Sequence, residues 1–154
     1  MNGGFTISEQ ESDKIKKIAM RLDNALEKMN VEEVVHYFAE DCEIELLNVK
    51  LVGKDGVRKW LQWLFKHVSE IRFKPVIILV EGNVFFEEFI INAKLHDGKQ
   101  ITSKQAEVLI YKNYKIQSLR LYFDRLDFAD AVAKDFVSKG IVKQLIKKSI
   151  KELT

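Results

Sequence analysis

The hydrophobic positions of this chain change their spacing along its length, from helical at the front to strand-like in the middle. Apolar residues recur every three or four positions over 15–29 and again over 57–68, which predicts two amphipathic helices. A capping box at Ser8 and Glu11 predicts the start of the first helix. The front of the chain is therefore helical.

A shorter helix and a strand are predicted between those two helices. Asn30 followed by Glu33 favours a second cap that opens a short helix, with Val34 and Val35 inward. The alternation that follows, over 41–47, is typical of a strand.

Four consecutive segments rich in Val, Ile, Phe and Tyr then predict strands, because these residues favour the β conformation. Turn residues separate them, and the pair Asp97-Gly98 is typical of a hairpin. The segments are 73–81, 84–95, 99–111 and 115–124.

Helical spacing returns after the strands. It runs from Leu126 to Phe136 and is expected to end at Gly140, before a last helix with a basic stripe over 142–150. The order of helices, then antiparallel strands, then helices predicts an α+β fold. We expect one domain over 1–154, with a core at about 13–133 and a helical extension at about 134–154.

Composition and charge narrow the possible partners. Apolar residues make up 47% and the net charge is only +2, so we expect a packed core and no nucleic-acid partner. The longest apolar runs, such as 76–80, are too short to span a bilayer, and the first residues do not resemble a secretory signal. The expectation is a cytoplasmic protein without a membrane partner.

The metal-binding residue types are scattered. Cys42 is the single cysteine, and His36, His67 and His96 do not have the spacing of metal ligands. We therefore expect neither a metal site nor another cofactor.

Several stretches together resemble the SnoaL-like (NTF2-like) superfamily. They are Phe38–Asp41, which leads into the first strand, Gly53–Val57, which opens the third helix, and Lys115-Ile116 with Leu121–Asp124, which close the sheet. The end 122–132 is similar to limonene-epoxide-hydrolase-type members. The resemblance covers about 13–133 and implies a cone: a curved antiparallel sheet with the N-terminal helices on its concave face, plus extra C-terminal helices.

In this superfamily the cone between sheet and helices holds the ligand. Side chains alternate along strands, so the resemblance places polar and apolar groups of three strands and two helices inside it. The expected ligand-binding residues are Glu88, Asn92, Gln105, Leu119, Leu121 and Phe123 on the strands, with Leu22, Leu26 and Trp60 on the helices. The expected ligand is a small, mostly apolar organic molecule.

Asp124 is the first candidate for acid–base catalysis. It matches the carboxylate that cyclases and epoxide hydrolases of this fold use, and apolar surroundings would raise the pKa of its carboxyl group. Asp is also a favoured N-cap, so Asp124 either catalyses a reaction or caps the helix that begins near Arg125.

Glu107 is the second candidate. Glu is depleted in strands, and this position matches the acidic hydrogen-bond donor of ketosteroid isomerases. The alternative is a rim carboxylate paired with Lys94, Lys104 or Arg120.

The full catalytic sets of both enzyme types are missing. The Tyr and the carboxylate base of the isomerases fall on Leu22 and Leu46. The Arg and first Asp of the hydrolases fall on Glu88 and Ile90, and their water-binding Tyr and Asn on Ile44 and Leu46. The resemblance therefore implies a fold and a pocket, without either mechanism.

Two functions follow from these residues. One is an isomerase, cyclase or hydrolase that acts on a small organic molecule by acid–base chemistry. The other is a non-catalytic ligand-binding or dimeric interaction module, because a second sheet face is also apolar and needs cover. The members of that second face are expected to be Phe89, Ile91, Leu95, Val108 and Ile110. The family resemblance implies a homodimer through this face, and the alternative is that the C-terminal helices cover it.

Overall fold

A computed structural model describes residues 12–153. Its sheet has six strands in the order β2-β1-β6-β5-β4-β3, curved and not closed into a barrel. The capping box predicted at Ser8 and Glu11 lies outside the described residues.

Apart from β2 and the C-terminal helices, the helices and strands follow the predicted order. They are α1 (Ser12–Glu27), α2 (Val31–His36), β1 (Phe38–Leu46), β2 (Val49–Val52), α3 (Gly53–His67), β3 (Val68–Glu81), β4 (Val84–Leu95), β5 (Gln100–Lys112), β6 (Lys115–Phe123), a 3-10 turn (Arg125–Phe128), α4 (Ala129–Val132) and α5 (Phe136–Ser149).

Local sequence explains several of these boundaries. Asn30 caps α2 by accepting a hydrogen bond from the Glu33 backbone N–H, 3.2 Å away. The β5–β6 hairpin turns at Asn113 and Tyr114, both with positive φ, as a two-residue hairpin turn requires. Strand β2 lacks a strong sequence signal, and it forms because it pairs with β1.

The sheet is antiparallel except at one pair. β1 runs parallel to β6, whereas β3 to β6 form a continuous antiparallel meander. The inner face of the sheet carries the core, and α1 and α3 cover it. The α+β cone is thus confirmed.

The orientation predicted for β4 is wrong. Phe89 pairs directly with Gln105 and is buried, whereas Glu88 and Asn92 lie on the outer face of the sheet. Directly opposed residues share a face, so the well-predicted inner face of β5 determines that of β4. A one-residue difference in register exchanges the two faces of a strand.

The outer face is apolar, but most of its members differ from those expected. Ile91 and Leu95 belong to the inner core, while Ile77 and Leu79 are 45% and 61% exposed on β3. The outer face consists chiefly of Ile77, Leu79, Phe86, Ile90, Val108 and Ile110.

The C-terminal helices break at a different position from the one predicted. Gly140 lies inside α5, and the break precedes Phe136, where the Asp135 carboxylate accepts a hydrogen bond from the Ser138 N–H at 2.8 Å. Phe136 is 92% exposed, and none of the residues of α5 is buried. Among residues 12–153, no helix is both long enough and apolar enough to cross a membrane.

Candidate functional site

A small cavity lies on the inner face of the sheet, beneath α1 and α3. Its volume is about 40 Å³, and Gln105 and Glu107 are its polar members. The apolar lining comes from Leu26, Trp60, Trp63, Leu64, Ile71, Phe73, Phe89, Ile91, Leu121, Phe123 and Phe128. An apolar cleft with a few convergent polar groups is the usual form of a small-molecule site.

Most of the predicted cone residues reach this cavity. Gln105, Glu107, Leu121 and Phe123 line it from β5 and β6, and Leu26 and Trp60 line it from the helices. Two others, Leu22 and Leu119, are each 1% exposed and belong to the packed core beside it.

Three predicted site residues lie elsewhere. Glu88 and Asn92 lie on the outer face, for the register reason given above, and Asn92 Oδ1 accepts a hydrogen bond from the Thr102 hydroxyl at 3.1 Å. Asp124 is exposed and lies outside the lining. Its Oδ1 accepts a hydrogen bond from the Leu126 N–H at 2.8 Å, so it caps the 3-10 turn. Because Asp124 is exposed to solvent, it lacks the apolar enclosure expected for it.

Glu107 lies inside the protein rather than at the rim. It is 8% exposed and faces inward, whereas Lys104 is exposed on the opposite face of the same strand. None of the ion pairs among residues 12–153 involves Glu107. The expected rim pairing with lysine or arginine is therefore not found.

Two further carboxyl groups accompany Glu107, and sequence reasoning missed both. Glu87 is the direct partner of Glu107 across β4 and β5 and is 1% exposed. Asp23 lies on the buried side of α1 and is 8% exposed. The signal for Asp23 was present: it interrupts the apolar stripe of the first helix between Leu22 and Leu26.

We call Asp23, Glu87 and Glu107 the carboxyl cluster. Burial raises the pKa values of all three carboxyl groups. Loss of solvation raises the pKa of Asp23 to about 8, with a further contribution from the charges of Glu87 and Glu27. Burial raises the pKa of Glu87 to about 7. Burial and the charges of Asp23 and Glu87 raise the pKa of Glu107 well above its ordinary value.

Tyr111 lies next to the cluster on β5. Burial, with the charges of Glu107, Asp23 and Glu87, raises the pKa of its phenol far above the ordinary value. Its hydroxyl oxygen has no hydrogen-bond partner, and neither does one oxygen of Glu87. Burial and mutual repulsion thus favour the protonated forms of the acids in this cluster.

The cluster does not form a metal centre in the described part of the chain. No group of three His, Cys, Asp or Glu residues there is positioned to hold a metal ion. Its chemistry is that of proton donors and acceptors next to an apolar cavity.

A row of hydrogen-bonded polar side chains also reaches the cavity. Gln105 donates from Nε2 to the Ser103 hydroxyl at 3.1 Å, and this hydroxyl donates to Asp127 Oδ2 at 2.7 Å. The Oε1 atom of Gln105 has no hydrogen-bond partner, although the residue is only 4% exposed.

Comparisons with known proteins agree with this architecture. The profile of the family described as a SnoaL-like domain matches residues 19–119. No curated protein sequence matches the chain significantly.

Three solved structures illustrate the similarity of fold. An NTF2-like protein of unknown function from Burkholderia pseudomallei has a TM-score of 0.71 and 16% identity, covering 79% of this chain and 98% of that one. SalBIII, an epoxide hydrolase/cyclase-like enzyme in salinomycin pyran ring formation, has a TM-score of 0.69 and 17% identity, with 77% and 96% covered. An M. tuberculosis LEH-like epoxide hydrolase has a TM-score of 0.67 and 17% identity, with 85% and 98% covered.

Proposed function

Since this chain belongs to the SnoaL-like domain family, we propose that it binds a small, mostly apolar organic molecule in its inner cavity and acts on it by acid–base chemistry. The observation that carries this proposal is the position of Glu107, whose carboxyl group is buried, borders the cavity and lies opposite Glu87. Members of the fold include epoxide hydrolase and cyclase-like enzymes.

Glu107 is suited to the role of proton donor. Burial raises the pKa of its carboxyl group well above the ordinary value, which favours the protonated form and suits it to exchange a proton with a bound ligand. Glu87, whose pKa is near 7, is suited to hold the proton that Glu107 releases or returns. The reaction class is therefore that of an isomerase, cyclase or hydrolase.

Asp124 is the alternative acid–base group, which the family resemblance implies. Its exposed position and its hydrogen bond to Leu126 favour capping, so Glu107 is the residue to test first.

Proton exchange provides a general assay for this chemistry. We would follow exchange of the α-protons of butanone in D₂O by NMR, and in a parallel sample the ring opening of propylene oxide. Wild type is expected to accelerate one of these reactions over Glu107→Gln by at least about 100-fold, the lower end of general acid–base catalysis.

Glu88→Gln is the matched control, because it makes the same change on the outer face of the next strand. It is expected to keep the wild-type rate. Equal rates for wild type and Glu107→Gln with both compounds would contradict the catalytic proposal.

A second candidate is a homodimeric interaction module, and the exposed outer face of the sheet favours it. Ile77 and Leu79 are 45% and 61% exposed there, and they continue the surface formed by Phe86, Ile90, Val108 and Ile110. Contiguous apolar surface of this kind marks interaction sites. A second copy would cover this face and remove it from water.

Sedimentation equilibrium tests the dimer. Wild type is expected at twice the mass of the chain at micromolar concentration, and Leu79→Lys as a monomer. Val49→Lys is the matched control, since Val49 is 51% exposed on β2 at the far end of the sheet. A wild-type monomer at 50 micromolar (a concentration on the order of that at which weak dimers form) would exclude the dimer.

A further inference from the structure

We propose that the mostly apolar ligand of the cavity carries one positive charge: it is an aliphatic amine, apolar except for its protonated amino group. Its ammonium N–H groups would donate to Gln105 Oε1 and to the Glu107 carboxyl group. This inference rests on the proposed role of the cavity as a ligand site, and it names the chemical class of the ligand.

The orientation of the Gln105 amide supports this proposal. The single hydroxyl proton of Ser103 is donated to Asp127 at 2.7 Å, so the Ser103 oxygen can only accept from Gln105, at 3.1 Å. If the Gln105 amide were flipped, its Oε1 would face the Ser103 oxygen, and neither atom could donate a hydrogen bond to the other. Hence Nε2 points to Ser103, and Oε1 is the atom left without a partner.

An unpaired acceptor this deeply buried calls for a donor. Gln105 lines the cavity and is 4% exposed, and buried polar atoms are nearly always paired. A ligand with only acceptor atoms, such as a ketone or an ether, would accept from a protonated Glu107 but would leave Gln105 Oε1 unpaired. A ligand with N–H donors satisfies both groups.

The charge of the surroundings favours a cationic donor over a neutral one. Asp23, Glu87 and Glu107 are buried together, and none of the ion pairs among residues 12–153 gives them a basic partner. Buried acids that lack a cation are held in the neutral form. A cation in the cavity would allow Glu107 to ionise and to pair with it.

The walls of the cavity suit an alkylammonium ion. Aromatic faces attract cations through the ring quadrupole. Six aromatic residues line the cavity: Trp60, Trp63, Phe73, Phe89, Phe123 and Phe128. The volume of about 40 Å³ limits the enclosed part of the ligand to a few non-hydrogen atoms. A longer alkyl tail would leave past Trp63, which is 38% exposed.

Two probes of the same skeleton separate charge from shape. Dimethylammonium has two N–H donors for two acceptors, and dimethyl sulfide has the same three-atom frame without charge or donor. We would titrate each into ¹⁵N-labelled protein at pH 7.5 and constant ionic strength. The signals to follow are the Gln105 side-chain amide and the indole N–H groups of Trp60 and Trp63.

Dimethylammonium is expected to shift these signals to saturation, with a Kd no tighter than about 0.5 mM for a ligand of three non-hydrogen atoms. Dimethyl sulfide is expected to bind at least about tenfold more weakly, because a charged hydrogen bond discriminates by that factor or more. Gln105→Leu and Glu107→Gln should each weaken dimethylammonium by at least about tenfold. Glu88→Gln should leave its affinity unchanged.

The titrations distinguish failure of the ammonium proposal from failure of the proposed ligand site. Equal binding of both probes, or tighter binding of dimethyl sulfide, would overturn the ammonium proposal while leaving the cavity as a site for neutral ligands. Absence of binding by either probe would overturn both this inference and the proposed ligand site. The ¹⁵N spectra of the variants report directly whether each one is folded.

Discussion

Glu87 and Glu107 lie directly opposite each other on neighbouring antiparallel strands, and both side chains face the core. Side chains in such a pair are about 5 Å apart at Cβ. Two carboxylates at that distance repel each other, and burial strengthens the repulsion. Burial and this repulsion raise the pKa of Glu107, and Asp23 adds a third acid from α1.

The carboxyl cluster makes stability depend on pH. The pKa of Asp23 is raised from 3.8 to about 8, and that of Glu87 from 4.5 to about 7. The folded state therefore binds more protons than the unfolded state between about pH 4 and 8. The free energy of unfolding should fall as pH rises through this range, by up to about 1.4 kcal/mol per pH unit for each carboxyl group involved.

Urea unfolding at pH 6.5 and pH 8 checks this prediction. His67, whose pKa is lowered from 6.5 by burial, acts in the opposite direction, and most of its contribution lies below this window. Asp23→Asn should flatten the dependence, and Asp124→Asn, at an exposed site, should not. A free energy of unfolding that rises with pH would contradict the account.

The inner face of β4 can be tested with two adjacent phenylalanines. Phe85 is fully buried, whereas Phe86 is half-buried on the outer face. Phe85→Ala should cost about 3–5 kcal/mol through lost burial and a cavity. Phe86→Ala should cost about 1 kcal/mol, measured at a concentration low enough to keep the chain monomeric. If Phe86→Ala cost more stability than Phe85→Ala, the orientation of β4 predicted from the sequence would be the correct one.

Asp124 allows capping to be separated from catalysis. Asp124→Ala removes the hydrogen bond to the Leu126 N–H and should cost about 1 kcal/mol, whereas Asp124→Asn keeps an acceptor and should be nearly neutral. Thermal or urea unfolding measures both. If Asp124→Asn instead abolished proton exchange with butanone while the protein stayed folded, Asp124 would be the acid–base group.

The last helix is expected to contribute little to the stability of the domain. None of the residues of α5 is buried, and Asp135 caps it locally. Deleting 135–154 should change the free energy of unfolding by less than about 0.5 kcal/mol, since surface changes rarely exceed that. A loss of several degrees in Tm would show that α5 packs on the domain in solution.

The sequence by itself determined most of the elements and their order, with the exceptions of β2 and of the break before Phe136. The spacing over 15–29 and 57–68 required amphipathic helices, and the strands separated by Asp97-Gly98 and Asn113-Tyr114 required a meander, because these signals are local. Local alternation likewise placed Gln105 and Glu107 on one face of β5. The position of a cavity between sheet and helices was implied by the resemblance to the SnoaL-like superfamily.

Only the tertiary structure decided which face of β4 turns inward. Both of its faces are rich in apolar side chains, so alternation alone could not distinguish Glu87 from Glu88, and pairing with β5 made the choice. The same holds for Asp23 and Asp124. Their environments depend on contacts far apart in the chain. Asp23 lies on the buried side of α1 near Glu87, and Asp124 lies at the surface, just after the end of β6. Burial changes the acidity of a carboxyl group, and burial is a property of the assembled fold rather than of neighbouring residues in the sequence.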